Sequence, residues 1–169
     1  DANLTLNSRI PVIIYDGYRL DSTQLTIASD PQKLDYALRM RQASQDTSLR
    51  LPNPSITGSV ANNQVATNVR IAESDSAQLL NLAGLLQVLN QGDAYAFSFD
   101  ENLVVNNQKW TVAPNNEVRY TLASGAIRAD NVRLSQGQQF IELQTLPGAE
   151  YPLQARLGSL DLNMLAVAG

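Results

Sequence analysis

The side chains that could move a proton in this 169-residue chain are carboxylates, because histidine and cysteine are absent. That absence removes Ser–His and Cys–His nucleophile pairs and metals ligated by His or Cys. The nearest carboxylate pairs in sequence are Asp16 with Asp21, Asp93 with Asp100, and Asp100 with Glu101. Glycoside hydrolysis needs two carboxyls held across a sugar at a fixed separation, and nothing in these spacings fixes one. Each of these residues sits at a turn signal or strand end, where Asp serves local hydrogen bonding. Asp75 and Asp93 could be read as calcium ligands, but the loop spacing that calcium sites use is missing. Gly17, Gly58, Gly84 and Gly92 are isolated and form no phosphate-cradling loop. Trp110 and the stripe Tyr95, Phe97 and Phe99 could stack on sugars; as residues of a half-buried sheet they need no such role. The expectation is a protein that is not an enzyme and holds no metal or cofactor.

Composition narrows the classes further. The chain is 44% hydrophobic and 17% charged, with a net charge of −4. An acidic balance speaks against nucleic acid, whose binding rests on clustered Lys and Arg. Arg39 and Arg41 are the densest basic spot and read as a solvated strand face. The polar surface is carried by 15 Asn and 14 Gln, residues that serve turns and exposed strand faces. Lack of cysteine is compatible with an envelope compartment without defining one. No run of about 18 apolar residues could span a bilayer as a helix. The chain begins at Asp1 without Met and reads as mature or excised, a single domain over 1–169 that is a slice of a longer repetitive protein.

The elements that must position any site are short strands. Leu34, Tyr36 and Leu38 alternate with polar or small partners, as do Val65, Val69 and Ile71, then Tyr95, Phe97 and Phe99, then Ile141 and Leu143. Asp16-Gly17, Asn62-Asn63, Asn106-Asn107 and Asn115-Asn116 punctuate them as turns. Residues 76–90 are ambiguous. Leu79, Leu82, Ala83, Leu86 and Leu89 fit a short helix, with Ser74 or Ser76 as a cap. A strand with Leu80 and Leu82 and a bulge at Gly84 fits too, and suits the neighbours. The count of strands exceeds that of one simple sandwich.

Two stretches repeat: Arg19-Leu20-Asp21-Ser22-Thr23-Gln24-Leu25 and Arg128-Ala129-Asp130-Asn131-Val132-Arg133-Leu134. They suggest repeat-like halves over about 1–75 and 94–169. In each the apolar phase slips, from Leu20 to Leu25 and from Ala129 to Val132. A one-residue slip turns a strand inside out unless it is absorbed. A bulge or kink is therefore expected at Asp21-Ser22 and at Asp130-Asn131, curling the sheet.

Several phrases in order carry a resemblance: 53–60 (Asn-Pro-Ser-Ile-Thr-Gly-Ser-Val), 80–86, 95–99, 129–134 and 160–165, and most sharply Asn107-Gln108-Lys109-Trp110-Thr111-Val112-Ala113-Pro114. Together they resemble the TamB family, the inner-membrane subunit of the translocation and assembly module, within the AsmA-like group and closest to its Bacteroidota-type versions. Leu160 stands where that pattern has Phe. The resemblance favours strand over helix for 76–90. It implies an all-β fold, a curled open antiparallel sheet (a β-taco) with an apolar concave face. It implies a periplasmic location, an inner-membrane anchor outside this chain, and a barrel partner of the BamA superfamily. The implied role is phospholipid transport between membranes and outer-membrane protein assembly. The groove residues it points to are Leu34, Tyr36, Leu38, Val65, Val69, Ile71, Leu80, Leu82, Tyr95, Phe97, Phe99, Val132, Leu134, Ile141, Leu143, Leu160 and Leu162, which would meet acyl chains. The alternatives are a scaffold for nascent outer-membrane strands and a glycan-binding surface protein. Edge-to-edge self-association is expected of such a slice.

Overall fold

The computed structural model describes residues 3–46, 48–74, 76–148 and 152–160. Among them the chain is all-β, one large open antiparallel sheet that does not close into a barrel. The first eight strands are β1 (Leu4–Tyr15), β2 (Tyr18–Ser29), β3 (Leu34–Arg39), β4 (Gln42–Gln45), β5 (Leu49–Pro52), β6 (Ser55–Ala61), β7 (Gln64–Ala72) and β8 (Gln78–Leu89). A single 3-10 turn, Asn90–Gly92, precedes β9 (Ala94–Phe99), β10 (Leu103–Val105), β11 (Gln108–Val112), β12 (Glu117–Thr121), β13 (Ala126–Asp130), β14 (Val132–Gln136), β15 (Gln139–Thr145) and β16 (Leu153–Gly158).

The amide-rich turns explain how so many strands are joined so tightly. Asp16-Gly17, Asn62-Asn63 and Asn106-Asn107 each have positive φ at both positions. Such two-residue turns match the right-handed twist of the strands they join, and Asn, Asp and Gly accept that backbone most readily.

Five pairs of strands are halves of one longer strand: β3 with β4, β5 with β6, β9 with β10, β11 with β12, and β13 with β14. The registers show it. Gln24↔Arg39 and Asp21↔Gln42 lie in one antiparallel frame, as do Arg39↔Ser55 and Gln42↔Pro52. Joined in this way, the sixteen strands become eleven, each paired with its predecessor in sequence. The fold is a meander of bent strands.

The bends align across the sheet and form a crease. Ser22 in β2, Asn53 between β5 and β6, and Asn131 between β13 and β14 have φ of 54°, 42° and 53°. Ser22 stands opposite Pro11, which has no N–H to offer it. The Arg41 N–H donates to Asp21 O at 2.9 Å and the Asn53 N–H to Arg41 O at 2.9 Å, so the bends sit side by side. Where the ladder breaks, asparagine side chains replace it. Asn53 Nδ2 donates to Ala72 O at 3.0 Å and Asn81 Nδ2 to Asn102 O at 2.8 Å. Within the unbroken β7–β8 ladder, Asn68 Nδ2 orients Asn81 by donating to its Oδ1 at 3.0 Å. Asn131 Nδ2 donates to Pro114 O. Asn116 is buried, and its amide pairs with Phe99 as a backbone residue would: Oδ1 accepts the Phe99 N–H at 2.7 Å and Nδ2 donates to Phe99 O at 3.0 Å.

Three expectations resolve here. Residues 78–89 form strand β8 and not a helix, because β7 pairs along one edge and β9 and β10 share the other. Gly84 carries no bulge; its pairs Thr67 and Phe99 lie in unbroken register, and the irregularity falls between Ile71 and Ala72. Gly84 is glycine because the Phe97 ring occupies the space a Cβ would take. Both repeated stretches are kinked as expected, but they differ. Register slips by one between Glu117↔Asp130 and Val112↔Leu134, which lets Ala129 and Val132 both be buried. Around Ser22 the β1–β2 register is continuous from Leu4↔Ser29 to Tyr15↔Tyr18, so no residue is inserted there.

The fully packed core is small. Leu103, Trp110 and Val112 form it, with Leu82, Phe99, Val105, Leu134 and Leu160 packed against them. Trp110, at 2% exposure, offers no ring face to a sugar.

Candidate functional site: the apolar face of the sheet

Directly opposed residues in an antiparallel sheet point to the same face, so the registers assemble that face row by row. One row runs Leu4, Ser29, Leu34, Val60, Val65, Leu86, Phe97, Val118, Ala129 across nine strands. A second runs Leu6, Ile27, Tyr36, Gly58, Thr67, Gly84, Phe99, and a third Leu25, Leu38, Ile56, Val69, Leu82. Beyond the crease the same face continues through Ile71, Leu80 and Val105, through Leu103 and Trp110, through Val112, Leu134, Ile141 and Leu157, and through Val132, Leu143 and Ala155. No Asp, Glu, Lys or Arg stands in any of these rows. The opposite face carries them: Arg119 faces Ala96, and Arg133, Glu142 and Arg156 line up with Arg133 Nη1 2.9 Å from Glu142 Oε2.

Fifteen of the residues expected to line a groove share this face: Leu34, Tyr36, Leu38, Val65, Val69, Ile71, Leu80, Leu82, Tyr95, Phe97, Phe99, Val132, Leu134, Ile141 and Leu143. All but Val132 are only half-buried, where the inner face of a filled sandwich would be closed off. Leu82, Phe99, Leu134 and Leu160 turn toward the Trp110 cluster and so belong partly to the core. Leu162 lies outside the described residues. Leu25, Ile27, Ile56, Val60, Leu86 and Val118 stand in the same rows and are absent from the expected groove set, although the strand period carries their signal.

The floor of this face is paved where glycines let rings lie flat. A Cβ on Gly58 would meet the Tyr36 ring and the Ala66 carbonyl. The Tyr36 hydroxyl reaches two strands over, 2.5 Å from Thr67 Oγ1, and donates to Ala66 O at 3.3 Å. Phe97 and Phe99 meet edge to face with centroids 4.9 Å apart beside Gly84. The third instance is on the outer face, where Phe140 covers Gly158 and the Arg133 guanidinium lies 4.2 Å over the Phe140 ring.

The carboxylates considered for acid–base work do not converge. Asp21 is buried and held by Arg19, whose Nη2 lies 2.9 Å from Asp21 Oδ1. Asp100 caps its own turn, accepting the Asn102 N–H at 2.9 Å. Among the described residues no three Asp or Glu gather as a metal would need, and no helix is long and apolar enough to cross a membrane. Comparison of the chain with protein-family models, with curated proteins and with solved structures finds no match.

Proposed function

We propose that this chain is a periplasmic segment of a TamB-like, AsmA-like protein whose apolar trough conducts phospholipid acyl chains between the inner and outer membranes and supports outer-membrane protein assembly. The anchor in the inner membrane and the docking to a barrel partner of the BamA superfamily belong to parts outside this chain. The observation that carries the reading is the uncharged row from Leu4 to Ala129 across nine strands. At about 4.8 Å between strands such a row is ~38 Å long, more than the ~30 Å hydrocarbon thickness of a bilayer. Each CH₂ taken from water onto this face gains about 0.8 kcal/mol. Passage along it needs positions of similar affinity and no bond chemistry, which suits a chain without His or Cys; we assign no enzymatic step to it.

Photo-crosslinking residues placed at Phe97 and at Ser98 in the full-length protein test the reading, since the two neighbours face opposite sides of β9. Lipid adducts at Phe97 and none at Ser98 are expected. Equal labelling at both, or protein adducts alone at Phe97, would count against it.

A second reading rests on the sheet edge. β1 is an end strand with exposed Leu4, Leu6, Ile10, Val12, Ile14 and Tyr15, a template for an added strand. In that reading the chain presents its edge to nascent outer-membrane strands, and crosslinks from β1 would capture barrel segments.

A further inference from the structure

We infer that the asparagine-bridged crease is a hinge, about which the two walls of the trough turn to change its width. The inference rests on the trough reading for its use, and on the bonding along the crease for its existence. Elsewhere the bent strands are joined by continuous backbone ladders. At four places along the crease the ladder is interrupted and an asparagine side chain joins the neighbours: Asn53 to Ala72, Asn81 to Asn102, Asn116 to Phe99 and Asn131 to Pro114. Isolated backbone bonds stand beside them, such as Asp100 N–H to Ala83 O at 2.9 Å and Ala113 N–H to Arg133 O at 2.8 Å, and β7 and β8 stay paired through the crease.

The weakest line lies where the sheet forks beyond β8. There β9, β12 and β13 leave on one side, and β10, β11 and β14 on the other. β10 meets β8 at two opposed pairs, Val104↔Asn81 and Val105↔Leu80, and the turn after it adds backbone bonds from Asn106 N–H to Leu79 O and from Asn107 N–H to Gln78 O, both 2.7 Å. Between Gly84↔Phe99 and Asn81↔Val104, three steps on β8 answer five on the partner, and the surplus is taken up at Asp100–Asn102. Asn102 bonds within that loop, its N–H and Nδ2 both donating to Asp100 Oδ1, at 2.9 Å and 2.7 Å. β11 and β12 part at Ala113–Asn116, and Asn116 clasps both sides, donating to Ala113 O at 2.9 Å while pairing with Phe99. Three hydrogen bonds from one buried amide close the fork.

A side-chain clasp differs from a ladder in one respect that matters for motion. It can release by rotating about its own χ angles, leaving the strands on each side intact, whereas a ladder parts only when backbone moves. Phe99 couples the clasp to the apolar face. Its backbone is held by Asn116 and its ring packs against the Leu103, Trp110 and Val112 cluster. Release of Asn116 therefore frees the ring that lies between the two walls.

The test uses the absence of cysteine in the chain. Spin labels at Lys109→Cys on β11 and Arg119→Cys on β12 sit on exposed residues either side of the break. Asn116→Ala removes the clasp, and because Asn116 lacks a positive φ it changes no backbone preference. Asn131→Gly removes the neighbouring bridge at a φ that glycine accepts. The hinge predicts that the distance distribution at least doubles in width in both variants while the β-sheet circular dichroism is kept. Hydrogen exchange of the parent chain supplies the check if either variant fails to fold. The Phe99 amide should exchange through a local opening that denaturant does not accelerate, at least tenfold faster than the amides of Ala96 and Trp110. Unchanged widths, or a Phe99 amide that exchanges only with global unfolding, would make the crease a rigid brace. Neither outcome depends on what the trough carries.

Discussion

Tyr36 lies across Gly58, its ring filling the place of the missing side chain and its hydroxyl ending 2.5 Å from Thr67 Oγ1. One aromatic thus spans three adjacent strands on the apolar face. Gly58→Ala would drive a methyl into that ring and into the Ala66 carbonyl. A loss of about 2 kcal/mol is expected, within the range for overpacked sites, measured by urea unfolding. The double variant with Tyr36→Ala should recover part of it, because the ring is half of the clash.

Ser22 and Asn131 hold the same backbone for the same purpose. A left-handed residue other than glycine costs roughly 1–2 kcal/mol. Ser22→Gly should therefore leave stability unchanged or raise it slightly, while Ser22→Val, whose branched side chain resists positive φ, should lower it by about 2 kcal/mol. Equal effects of the two substitutions would show that the bend is not set at Ser22.

Thr23 is buried beside that bend, and its hydroxyl has no hydrogen-bond partner. A buried polar group left unpaired costs about 1–3 kcal/mol. Thr23→Val keeps the shape without the hydroxyl and should stabilise the fold by about 1 kcal/mol, read as a higher denaturation midpoint at unchanged m-value.

Much of the face was legible in sequence, because a period of two is imposed by the pleat and survives in Tyr95, Phe97 and Phe99 or Leu34, Tyr36 and Leu38 without further help. The kinks were legible where the period slipped, at Asn131. At Ser22 the slip pointed to the right residue, yet the β1–β2 register runs on without an insertion, since Pro11 breaks the pairing from the other strand. The amide count by itself points to turns and surface. Its second use, Asn53, Asn81, Asn116 and Asn131 bridging the crease, depends on pairs such as Asn116 and Phe99, 17 residues apart, and no local pattern reveals them. Gly84 suggests a bulge in sequence for a related reason: the neighbour that requires glycine there, Phe97, is on another strand.

The end strand β1 leaves Ile14 at 70% and Tyr15 at 76% exposure, and among the described residues it pairs with β2 alone. The isolated chain should self-associate through that edge. Ile10→Lys, a charge placed on the strand where natural edges carry one, should shift sedimentation toward monomer. Oligomers of unchanged size in that variant would exclude β1 as the contact.

Leu143 stands on the apolar face between Val132 and Ala155, and Gln144 beside it points away. Leu143→Asp places a charge in rows that have none, and Gln144→Asp places the same charge on the polar side. Native mass spectrometry of the purified chain and of both variants tests the central claim most directly. Copurified phospholipid is expected on the parent and on Gln144→Asp, and should be lost from Leu143→Asp with its β-sheet circular dichroism intact. A parent chain free of lipid, or lipid retained equally by both variants, would contradict the trough.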